Sequence, residues 1–212
     1  MKFLKNGLYN AIQIKYKVED FKSILKNWLF GKIYPHDTKK YVIDLMLEIS
    51  SVFKDKDFEF SINFTFEDIS NKEISNYVIE KRKELNSGNR VVFEIVESEE
   101  IDDFNLINGF FSTIRKLGCK IAIDDFGSGY SNFEYLIKLD ADYIKIDGSL
   151  IKNIVTDDKH RLIVETIVSF ARRIGIKTVA EFVSDEKILQ TIKEIGISCA
   201  QGYHIGKPET LL

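Results

Sequence analysis

Short β-forming runs and amphipathic helical stripes alternate along this chain, and that alternation constrains its fold more than any other feature. The runs are FEFSINF (58–64), RVVFEIV (90–96), CKIAID (119–124), DYIKID (142–147) and KTVAEFV (177–183), each rich in β-branched or aromatic residues. Between them apolar residues recur three and four apart. Ile107, Phe110, Phe111, Ile114 and Leu117 form one stripe, Ile163, Ile167, Phe170 and Ile174 a second, and Ile188, Ile192 and Ile195 a third. Gly118, Gly175 and Gly196 each follow a stripe and precede a strand, as helix C-caps do. Ser70 with Glu73 predicts a capping box that opens the helix before RVVFEIV. Repeated strand–helix–strand units imply parallel strands. A weaker strand in YNAIQIKYKV (9–18) and a short last one near ISCAQGYHI (197–205) bring the set to six or seven. Such a set fits a doubly wound sheet or a barrel, and in a barrel the working side chains gather at the C-terminal strand ends.

At 212 residues, with prolines only at 35 and 208 and no Ser/Gly-rich linker, the chain reads as a single domain, 1–212. A net charge of −3, from 30 basic and 33 acidic residues, supplies no basic field for DNA. No run of 18 apolar residues and no signal-peptide pattern occur, so a cytoplasmic protein without a membrane segment is expected. Cys119 and Cys199 lie far apart in apolar surroundings, which suits neither a disulfide framework nor a zinc knuckle.

The strand ends carry the chemistry. Asn63, Glu94 and Glu97, Asp124 and Asp125, Lys145, Glu181 and Gln201 each stand at or just past the end of a run, among β-branched or aromatic neighbours. For any one of them alone, a structural ion pair or helix cap is the ordinary reading. Several carboxylates converging on one barrel mouth would strongly destabilise one another without a cation. Oxygen-only donors suit Mg²⁺ or Mn²⁺ rather than zinc or copper, and a paired site suits phosphodiester hydrolysis. Lys145 would hold a water or a phosphate oxygen. The Asp-Phe-Gly at 125–127 lacks the upstream motifs of a protein kinase, and His36, His160 and His204 suggest no cluster.

Taken together these motifs resemble the EAL domain of bacterial cyclic di-GMP signalling, from about residue 32 to 208, with residues 1–31 divergent. SINFT places Asn63 as a metal ligand. FEIVES is similar to the family's Glu-Ile-Thr-Glu-Ser, with Glu94 as ligand and Val96 in place of threonine. IDDFGSGYSN resembles its loop after the sixth strand, YIKIDGSLI carries the family lysine at Lys145, VAEFV a ligand at Glu181, and AQGYHIGKP the closing motif with Gln201. Phe182 stands where the family has glycine, and Ser184 where it has glutamate. The resemblance implies a modified TIM-type (β/α) barrel with a truncated N-terminal strand region, two Mg²⁺ or Mn²⁺ ions, and hydrolysis of cyclic di-GMP to the linear dinucleotide. It assigns Lys145, Asp125 and Glu181 to catalysis and Asn63, Glu94, Asp124, Asp125 and Glu181 to metal. Gln201, Glu97, Phe126, Gly127 and Ser128 would serve the substrate and its loop, Glu97 by holding the backbone after Asp125. Family members also imply a homodimer through the segment after the glycine-rich loop.

The departure lies at the N-terminus. Residues 1–18 contain no Asp or Glu, so the family's name-giving glutamate is absent. NAIQI is the nearest match, with Asn10 at the glutamate and Ile14 at the following arginine. Two expectations follow: a phosphodiesterase impaired by one weakened metal site, or an inactive domain that serves as a cyclic di-GMP receptor or a protein-interaction module.

Overall fold

In a computed structural model the described residues are 2–3, 10–12, 40, 58–84, 91–96, 103–129 and 133–207. Eight strands form one sheet: β1 (Lys2–Phe3), β2 (Asn10–Ile12), β3 (Phe58–Asn63), β4 (Val91–Val96), β5 (Lys120–Phe126), β6 (Tyr143–Ile146), β7 (Lys177–Ala180) and β8 (Cys199–Ala200). The spatial order is β1-β8-β7-β6-β5-β4-β3-β2. Every pairing is parallel except that of β1 with β8. The fold is a modified TIM-type (β/α) barrel, with β1 and β2 at the two ends of the strand order.

The helices are α1 (Phe66–Ser70), α2 (Lys72–Glu84), α3 (Phe104–Lys116), α4 (Phe133–Lys138), α5 (Gly148–Lys152), α6 (Asp158–Arg173) and α7 (Glu186–Ile195). Alternation along each strand divides its side chains between two cores. Outward residues such as Phe93, Ile95, Ile121, Ile123, Ile144 and Ile146 meet the helices in the large core. Inward residues Val92, Ala122, Tyr143, Val179 and Cys199 form a second, smaller cluster inside the barrel. Beneath it, at the N-terminal strand ends, Glu59 pairs with Lys120, which also donates to the Tyr143 hydroxyl at 3.1 Å. A cleft of about 510 Å³ opens at that end beside Arg115, Lys120, Asp142 and Lys177.

Local signals behave unevenly. Gly118, Gly175 and Gly196 adopt φ of 81°, 80° and 85°, the left-handed cap expected of them. The capping box falls elsewhere than Ser70/Glu73. Thr65 and Asp68 form it, with Asp68 N–H donating to Thr65 Oγ1 at 3.0 Å, and Ser70 ends the short α1. Asn71 then caps α2, its Oδ1 accepting from Glu73 N–H at 3.0 Å. On α6 the buried stripe is Val164, Ile167, Val168 and Ala171, while Ile163 is 45% and Ile174 39% exposed. Two overlapping 3.6-residue stripes exist in that segment, and only the position of the sheet selects between them.

Candidate metal and active site

Each inward residue of the small barrel cluster is followed, two positions further along the chain, by a polar residue of the mouth, on the strand or just past its end. Val92 leads to Glu94, Ala122 to Asp124, Tyr143 to Lys145, Val179 to Glu181 and Cys199 to Gln201. A period of two keeps each pair on one face, so the apolar layer is the floor on which the polar layer stands. Asn63 ends β3 opposite Glu94, and the next residue's N–H, that of Phe64, donates to the Glu94 carbonyl at 2.8 Å.

At the centre is Lys145. Its ammonium lies 2.7 Å from Asp124 Oδ1, 3.0 Å from Glu94 Oε2 and 3.0 Å from Glu181 Oε1, and the side chain is only 1% exposed. Four strands thus deliver four ionisable groups to one point. One cation against three carboxylates leaves the cluster negative, and the protonation equilibria respond to that imbalance. Burial alone would lower the Lys145 ammonium, but the surrounding carboxylates outweigh it and hold it above its usual value. Burial pushes the Glu181 carboxyl up to about 7, with Lys145 opposing and Asp124 and Glu94 assisting. Asp125 is also raised, by burial first and then by Asp124 and Asp147, against the pull of Lys145.

Asp125 is placed by an irregularity. The β5–β6 register shifts between Ile123 and Phe126, and Asp125 takes φ 54° there, a conformation Asp tolerates better than most residues. Its N–H donates to Asp124 Oδ1 at 3.1 Å. The bulge lets adjacent aspartates serve one site, which a regular strand would send to opposite faces. Oxygens of Asp124, Asp125 and Glu181 lie within 4.8 Å of one another, a spacing open to a metal ion. The donor set is carboxylate with a nearby amide, and its excess negative charge fits a divalent cation such as Mg²⁺ or Mn²⁺.

The remaining expected residues divide. Gly127 turns the chain with φ 99°, and a Cβ there would stand 2.4 Å from Leu150 Cδ1. Ser128 is exposed, its N–H donating to the Asp125 carbonyl at 3.2 Å. Gln201 follows β8 and is tied by its N–H to the Ala180 carbonyl at 2.8 Å. Phe126 is a correction: it is fully buried, its ring 5.5 Å from that of Phe133, so it anchors the loop from the core and offers no surface to a substrate. Glu97 and Ile14 lie outside the described residues. Asn10 is a second correction, since β2 pairs it with Phe58 at the start of β3, five residues before Asn63. At about 3.3 Å per residue it stands some 16 Å below the ligand level. Phe182, the aromatic at a family glycine, carries no expected role from the sequence; it adopts φ 53° directly after Glu181.

Residues 37–208 match the family model of the EAL domain. The chain belongs to the EAL domain family. It is 38% identical over 152 residues, 71% of its length, to the cyclic di-GMP phosphodiesterase PdeB of Shewanella oneidensis, and that match covers 18% of the relative. The chain therefore spans about a fifth of the length of that curated relative. Its structure is similar to an EAL domain protein from Listeria monocytogenes, with a TM-score of 0.76, 25% identity and coverage of 95% of this chain and 81% of that one. The fold is also shared with Klebsiella pneumoniae BlrP1, solved with manganese and cyclic di-GMP, at a TM-score of 0.70 and 24% identity, covering 84% and 46%. Among the described residues no helix is long and apolar enough to cross a membrane.

Proposed function

We propose that this domain hydrolyses cyclic di-GMP to the linear dinucleotide, water adding across one phosphodiester bond. The observation that carries the reading is the convergence of Asp124, Glu94 and Glu181 on the buried Lys145 ammonium. Asn63, Glu94, Asp124, Asp125 and Glu181 would hold Mg²⁺ or Mn²⁺. The bound ions supply Lewis-acid polarisation of a phosphoryl oxygen and a more acidic water. Lys145 keeps a fixed positive charge where negative charge develops on the phosphoryl group, in a site too buried for bulk water to screen it. Asp125 would take the proton that the attacking water releases. The relatives named as cyclic di-GMP phosphodiesterases support the choice of substrate. Pairing of two copies through the segment after the glycine-rich loop belongs to the same reading.

A second reading, a cyclic di-GMP receptor, is favoured by one observation: residues 1–18 hold no carboxylate to complete the ligand set. Incubation with cyclic di-GMP and Mn²⁺, followed by chromatography for the linear dinucleotide, separates the two. Product that accumulates with metal and disappears with chelator supports the enzyme. Saturable binding without product establishes the receptor instead.

A further inference from the structure

Phe182 is an expensive residue. It takes a left-handed φ of 53°, which costs a non-glycine residue stability, and its side chain is 55% exposed. It follows Glu181 directly, at the C-terminal end of β7, and its ring crosses to the first residue of α5. A Cβ on Gly148 would lie 2.1 Å from Phe182 Cδ2, so glycine at that position makes the room the ring occupies. The ring therefore bridges the ends of β6 and β7 beside Glu181, packed on Gly148 and more than half exposed. The Lys152 ammonium stands 4.2 Å from the ring centroid on an exposed stem.

We propose that Phe182 is a stacking platform for a purine base of the substrate, with the exposed Lys152 ammonium moving off the ring to meet the base's acceptor edge. A rigid aromatic face with its lower side packed loses little freedom when a base settles on it, and every base offers a π face. Guanine adds the O6 and N7 acceptors that a neighbouring ammonium can reach. The inference rests on the cyclic di-GMP reading of the site and gives Phe182 a role in binding, separate from the charges that act on phosphate.

The test is a titration of cyclic di-GMP into the whole protein with Ca²⁺, which suits the same oxygen donors, alongside KM and kcat with Mn²⁺. Phe182→Ala and Phe182→Leu are compared with Phe182→Trp, and thermal midpoints check that each variant is folded. Leu keeps apolar bulk over Gly148 while removing the π face. Ala and Leu are expected to weaken affinity and raise KM by roughly 5- to 100-fold with kcat little changed, and Trp to retain binding. Equal affinity for wild type and Phe182→Leu overturns the platform and leaves the functional reading intact. A fall in kcat with unchanged affinity also overturns it. No binding by the wild-type protein overturns the functional reading and this inference together.

Discussion

At the scale of single residues, Lys145 is both the counter-ion of the metal-free cluster and a fixed charge for chemistry. Breaking a buried ion pair by removing one partner commonly costs about 3–5 kcal/mol, because the remaining charges stay buried. Lys145→Ala should therefore destabilise the metal-free protein by that order in urea unfolding, and added Mn²⁺ should recover much of the loss. Its turnover of cyclic di-GMP should fall roughly 100-fold or more, with affinity changing far less. A collapse of affinity at unaltered turnover per bound complex would make Lys145 a phosphate anchor and not a charge that acts in the chemical step. Phe182 supplies a backbone test. Ala normally exceeds Gly in stability, but at φ 53° the order should invert, with Phe182→Gly more stable than Phe182→Ala by about 1 kcal/mol in denaturant titration.

At the scale of elements, α6 shows how a helix's buried face is chosen. Ile167 is 2% exposed and Ile163 45%, although both belong to the stripe expected from periodicity. Ile167→Ala should cost about 2–5 kcal/mol through lost burial and the cavity left behind. Ile163→Ala should stay within about 1 kcal/mol, and paired thermal melts distinguish them directly. Ile167 matters to the site as well, because its Cδ1 lies close to the Cβ position of Gly127, under the turn that follows Asp125. The β5–β6 irregularity is the other decisive element. Without it Asp124 and Asp125 would point to opposite sides of the sheet, and the aspartate pair would have no common function.

At the scale of the whole molecule, the site trades stability for function in a way that pH reveals. Glu181 is held at about 7, above its ordinary 4.5, so the metal-free native state grips this proton more tightly than the unfolded chain does. Its contribution is most favourable below about pH 4.5, and stability drains away between there and about 7 as the unfolded chain ionises first. Glu181→Gln removes that titration. In chelator, the stability of Glu181→Gln relative to wild type should rise across this window and level off above it, as measured by urea midpoints at successive pH values. A gap that stays flat, or narrows, would show that the carboxyl is not held up by burial. Divalent metal should act oppositely on the wild type, adding about 2.7 kcal/mol at one hundred times its dissociation constant.

Much of this was legible in the residues themselves. Alternating runs and stripes specified parallel strands, because strand and helix periods differ and each must bury one side. Strand-end placement marked Glu94, Asp124, Lys145, Glu181 and Gln201, because a period of two carries an inward residue from the apolar floor to the polar mouth. The three glycine caps were readable for the same local reason: only glycine accepts their φ cheaply. Other features depended on contacts distant in sequence. Phe126 looked like loop and is core, Asn10 looked like a ligand and lies opposite Phe58, and α6 buries the neighbour of the residue its periodicity favoured. Tertiary structure alone drew three carboxylates from three strands onto one ammonium, since nothing within any single strand encodes its register against the next.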